Sequence, residues 1–317
     1  MVHLRIVAPG DEARKALELL TASPAVVNVV HLPGSAHKPA GDLILCDVAR
    51  REASVIVGDL RQLGIARDGS ISIGSVETQL SDAADQAGRA AEELPFGDAV
   101  VWEEVEARTS EETSLSINFV EFMMIAALIA AVGILLDSPI LIVGAMVVGP
   151  EFGPIAGFCV ATVERRGDLA KRSATALAVG VAAAVAATVA WSLFFKWTGI
   201  DSDGPGEARP LTEFISNPDF FSFFVAYLAG TAGVLSLTSA KSGALIGVLI
   251  SVTTIPAIAN IGVATAYADW SEVGGAAAQL GVNLVALVLG GVARLSVQRR
   301  VYAVRLRRHS KGSTSEP

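Results

Sequence analysis

The rhythm of apolar and polar residues changes once along this chain, near residue 117. Before that point the apolar positions come in short runs. "HLRIVAP" (3–9), "AVVNVVHL" (25–32), "GDLILCDV" (41–48) and "SISIGSVETQ" (70–79) have the length and alternation of strands. Two runs between them keep a helical period. "GDEARKALELLTAS" carries Ala and Leu at that spacing with Asp11 near its start. "REASVIVGDLRQLGI" (51–65) puts Ala53, Val57, Leu60 and Leu63 or Ile65 on one side. The predicted order over residues 1–80 is β-α-β-β-α-β, the pattern of a small α+β ferredoxin-like domain. That fold hosts many activities and names none. Residues 81–116 form a polar, acidic connector, and "DAADQAGRAAEEL" within it reads as helix. Trp102 in "VWEEV" suits either a headgroup position or a connector packed on the domain.

From residue 117 the apolar runs reach the roughly 20 residues needed to cross a hydrocarbon layer about 30 Å thick. Six are predicted, at 117–136, 138–163, 173–195, 219–237, 242–268 and 276–297. The transmembrane domain is thus 117–298, and 299–317 form a basic tail. Loop charges set the orientation. "ERRGDLAKR", Lys241 and the tail with Arg294 supply twelve Lys/Arg on one side, against Lys196 and Arg209 on the other. The N-terminal stretch lacks the apolar length of a signal peptide. Both observations predict a multi-pass protein of the cell (inner) membrane with cytosolic termini.

The second span contains "GAMVVGPEFGPIAG" (144–157), with Pro150, Pro154, four glycines and Glu151. It aligns without gaps on the fifth span: 144–162 over 247–265, with six identities in 19. Both are the second helix of a three-helix set, and both carry proline near the middle. Three helices per set would send the second copy into the membrane upside down, the plan of transporters built from inverted repeats. Glu151 lies 13 residues into its span, a depth of about 20 Å at 1.5 Å per residue. An acid near the bilayer centre costs about 2.5 to 3.5 kcal/mol on insertion scales. It marks either an ion, proton or substrate pathway or an acid that ties helices together. Pro150, Pro154, Gly153 and their neighbours allow the backbone to unwind there. Thr253, Thr254, Pro256 and Asn260 make a similar polar, broken patch in span five. Gln279 and Asn283 share one face of span six, where they line the same cavity or bond between helices. Ala176, Gly180 and Ala184 give span three a small-residue packing face. Asp137 reads as a turn residue before Pro139.

Composition narrows the function classes. Residues 1–116 hold 10 Lys/Arg and 19 Asp/Glu, so nothing there offers nucleic acid a basic face. Cys46 and Cys159 lie far apart without metal-type spacing and are expected to be reduced and structural. No enzyme motif, metal site or cofactor is implied, and the four histidines lie unclustered outside the spans.

The stretch 98–157, with Gly144-Ala145-Met146 followed by Pro150 and Pro154, resembles a bacterial and archaeal family of uncharacterised hydrophobic domains, domain of unknown function 389. "ALIGVLISVTTIPAIANIGVA" (244–264) resembles its later segment, and the resemblance covers roughly 98–295. In that family's pattern many relatives carry an apolar residue where Glu151 stands. This implies that the glycines and prolines are the shared architecture and that Glu151 is this chain's own. The family brings no settled activity. The expectation is an α-helical polytopic membrane protein: six helices in two inverted three-helix repeats behind a ferredoxin-like cytosolic domain. As a transporter or channel-like permease it would bind an ion, proton or small solute between spans two and five. The alternative is a membrane sensor or scaffold whose cytosolic domain binds a small ligand or partner. Its expected partners are the lipid bilayer and further copies of itself in a homo-oligomer.

Overall fold

The computed structural model describes residues 1–76, 81–90, 113–199, 211–238 and 254–312. The chain divides into two compact units, 1–105 with 238–240 and 300–317, and 106–237 with 241–299.

The first unit runs β1 (Val2–Ala8), α1 (Gly10–Ala22), β2 (Val26–His37), β3 (Ala40–Val48), α2 (Ala53–Gln62), α3 (Ile65–Asp68), β4 (Ser70–Ser75) and α4 (Asp82–Ala90). The four strands form one antiparallel sheet in the order β2-β3-β1-β4. Alternation decides which face is covered. Val2, Leu4, Ile6 and Ala8 of β1 are fully buried, while Arg5 between them is exposed. They meet Ala13, Ala16 and Leu20 of α1, Ala53, Val57 and Leu60 on the face predicted for α2, and Ile65, which the turn at Gly64 places in the separate α3 rather than at the end of the predicted helix. Each buried Leu or Ile contributes about 1.5 to 3 kcal/mol. β2 runs on to His37, past the predicted end at residue 32, because two irregularities are accommodated within it. Both are pinned from β3. Asn28, at φ 55°, donates from Nδ2 to Asp47 Oδ2 at 2.7 Å. Gly34, at φ 62°, donates its N–H to Asp42 Oδ1 at 2.8 Å. The same two carboxylates take His3 Nδ1 at 2.8 Å and His31 Nε2 at 2.9 Å. An ionised carboxylate only accepts, so these ring nitrogens carry the hydrogens. Cys46 is a free, buried thiol that desolvation pushes up to about 12, which keeps it unreactive. Residues 77–80 of the predicted last strand, and 91–112 with Trp102, lie outside the described residues.

The second unit is helical: α5 (Ile117–Leu135), α6 (Pro139–Val148), α7 (Phe152–Glu164), α8 (Gly167–Thr198), a 3₁₀ turn (Glu213–Ile215), α9 (Phe220–Thr238), α10 (Thr254–Ala266) and α11 (Trp270–Gly312). α5, α8, α9 and α11 are each long and apolar enough to cross a membrane. The pair α6 and α7 makes a fifth candidate, bent by 54° at its break. α10 is 13 residues long, and the first part of the predicted fifth span, up to residue 253, lies outside the described residues. Two apolar clusters hold the unit together. One joins α5, α6, α8 and α10 around Met123, Ile142, Ala184 and Ile258. The other joins α7, α9 and α11 around Phe152, Ala229 and Leu287. The chain therefore changes packing partners at the α6–α7 break.

Close approach comes from small residues. Ser173, Ala176, Gly180, Ala184, Thr188 and Ser192 are the buried stripe of α8, and Gly180 seats Phe119 and Met123 of α5. A methyl group on Gly230 would overlap the Leu287 carbonyl, and one on Gly290 the Tyr227 carbonyl, so α9 and α11 touch backbone to backbone. Helix boundaries follow a regular offset. α9 begins 103 residues after α5 and α11 begins 103 after α8, while α10 begins 102 after α7.

Candidate functional site

Pro150 dictates the break. The residue before a proline is driven from the helical region, and Gly149 is extended, at φ −65° and ψ 129°. α6 therefore ends at Val148. The Pro150 carbonyl accepts from Gly153 N at 3.3 Å, and Glu151 is already helical ahead of Phe152. Pro154 and Pro256 are each the third residue of their helix. Amide groups of a first turn have no intrahelical acceptor, so a proline there forfeits little. The prolines thus interrupt the apolar run at small cost in backbone hydrogen bonds.

At this break Glu151 is 3% exposed and Thr254, the first residue of α10, 1%. Thr254 Oγ1 donates to Glu151 Oε1 at 2.6 Å. Glu151 Oε2 has no hydrogen-bond partner among the described residues. Gly149 makes room for it: a methyl group there would collide with Oε2 and with the Ile255 side chain. A buried carboxylate with one unpaired oxygen is costly, by about 1 to 3 kcal/mol or more for a charged group. The start of α7 offsets part of this, with about half a positive unit at its N-terminus. The unpaired oxygen is an acceptor suited to a proton or a small cation.

The remaining predicted residues are placed as follows. Pro150 and Gly153 are half-buried, and Pro154 and Pro256 are buried. Asn260, 2% exposed, does not bond Glu151 through its amide. Its Nδ2 donates to Glu272 Oε2 at 2.9 Å, and its Oδ1 has no partner among the described residues. Sequence reasoning missed Glu272, because an acid in a turn between spans is unremarkable. Gln279 and Asn283 are buried on α11, and Thr253 lies outside the described residues. Asp137 is a turn residue: its carboxylate accepts from Thr212 Oγ1 at 2.8 Å and from Leu211 N at 3.4 Å.

Comparison with known proteins adds no activity. An uncharacterized protein of Methanocaldococcus jannaschii is 25% identical over 171 residues, 54% of this chain and 51% of that protein. The chain thus spans about half the length of the curated relative it matches. No solved structure matches the chain. Over residues 146–289, which hold the break, α8, α9, α10 and much of α11, the chain matches the family to which its glycine and proline pattern points, the Domain of unknown function (DUF389).

Proposed function

We propose that this protein is a multi-pass membrane transporter or channel-like permease that passes a proton or small cation at Glu151. One observation carries the reading. A carboxylate 3% exposed lies at the break between two apolar helices, one oxygen held by Thr254 and the other without a partner among the described residues. Irregular backbone and an ionisable group at such depth are the mark of a pathway rather than of packing.

The six-span architecture in two inverted three-helix repeats is part of the same proposal. The common offset of helix boundaries supports it. So do the contacts. Glu151 and Thr254 are 103 residues apart and therefore occupy equivalent positions, and they bond each other. Gly262 seats Thr188, and Gly291 seats Cys159; these are one contact repeated with the two halves exchanged. Residues that trade places this way, and meet at one point, are what a two-fold axis in the membrane plane produces. The strand order β2-β3-β1-β4 with a β-α-β-β-α-β core supports the ferredoxin-like reading of the first unit.

The test is flux into liposomes holding the purified full-length protein, under an imposed proton or monovalent-cation gradient. Glu151→Gln is expected to reduce the rate about tenfold or more, a change of about 1.4 kcal/mol in the barrier, with thermal stability kept. Wild-type flux in a stable Glu151→Gln protein would overturn the role of Glu151.

A further inference from the structure

The first unit carries an open surface pocket of about 530 Å³ between the β3–α2 turn and α4. This is well within the range of small-molecule sites, roughly 300 to 1,000 Å³. The turn is fixed by its backbone: Ala49 N donates to Ala25 O at 2.8 Å, and Glu52 N to Ala49 O at 2.9 Å. Arg50 and Arg51 are therefore held at the pocket wall, both half-buried. The opposite wall is α4. Ala84 and Ala87 anchor that helix, at 6% and 3% exposure, and Asp85, Gly88 and Arg89 line the pocket.

The charge of this wall runs against its setting. Residues 1–116 carry a net charge of −9, with 10 basic and 19 acidic side chains. The pocket gathers three guanidinium groups and one carboxylate. A guanidinium fork matches the paired oxygens of a phosphoryl group. The small side chains of Ala49 and Ala84, with Gly88, leave room beyond the charges for a larger ligand body.

We propose that this pocket is a binding site for a small phosphorylated molecule of the diphosphate class. Arg50, Arg51 and Arg89 grip the phosphoryl oxygens, and Asp85 moderates their charge. The site is independent of any transport through the second unit.

Titration calorimetry on the full-length protein in detergent tests this with pyrophosphate, adenosine diphosphate and, as an uncharged control, adenosine. Both diphosphates are expected to compete for one site with Kd below about 1 mM, and adenosine to stay unbound. Arg89→Gln, at an exposed residue, is expected to weaken binding about tenfold, the value of a lost charge-assisted contact. Asp85→Asn, one turn away on the same helix, is expected to tighten it. Opposite shifts from neighbouring variants are not a signature of unfolding. Tighter binding of the nucleotide than of pyrophosphate assigns the ligand to nucleotides; equal binding assigns recognition to the phosphoryl groups alone. No binding of either diphosphate at about 10 mM, or binding unmoved by both variants, overturns the proposal.

Discussion

Gly149 and Glu151 are coupled through space as well as through sequence. The carboxylate occupies the volume a side chain on Gly149 would need. Gly149→Ala is expected to lose about 1 to 3 kcal/mol by overpacking, read as a lower Tm in detergent. Gly144→Ala, inside α6 with open space around it, is expected to leave Tm unchanged or slightly raised. A second residue-scale effect belongs to Asp42. The Gly34 N–H, and after it His31, hold its carboxyl below the ordinary 3.8. An acid with a lowered value stabilises the fold at pH above its ordinary value, and that support is lost as pH falls through the lower folded one. Amides of the β2–β3 hairpin are therefore expected to lose hydrogen-exchange protection on acidification below pH 3.8, and Asp42→Asn to flatten that response. Glu151 was legible in the sequence because an acid inside an apolar run is anomalous. The pairing of His3 with Asp47, 44 residues apart, was not, since it depends on strand register.

At the scale of elements, apolar periodicity carried most of the information. The buried face of α2, the extents of α5 and α9, and the small-residue stripe of α8 follow from spacing alone. The common offset of 103 showed as residue-by-residue similarity only between spans two and five, in the alignment of 144–162 on 247–265. Sequence similarity survives between spans two and five, where prolines and glycines shape the backbone. It fades elsewhere because lipid asks a helix only to be apolar, so equivalent positions drift while lengths and turns persist. Met123 of α5 and Ala226 of α9 hold equivalent buried places with different side chains. The backbone contact of α9 with α11 is the firmest point to test. Gly230→Val is expected to cost about 3 kcal/mol or more, seen as aggregation or a collapsed Tm. Gly281→Ala, on α11 but in open space, is expected to behave as wild type.

For the whole molecule, the basic residues set a side. The cluster at 165–172 and the C-terminal tail are expected to face one compartment, and residues 200–210 the other. Single cysteines placed by Asp168→Cys and Ser310→Cys should label from the same side of a sealed membrane, and Ser202→Cys from the opposite side; native Cys46 and Cys159 are buried. Labelling of all three from one side would remove the six-span topology. The bond between Glu151 and Thr254 has one more consequence. Under the two-fold exchange proposed above, equivalent atoms lie twice as far from each other as from the axis, so equivalent residues in contact would lie beside it. The position equivalent to Glu151 holds the Thr254 hydroxyl, which donates to it, so the pair brings one acid and one alcohol to that point. The stoichiometry expected from that proposal is one exchangeable charge per polypeptide.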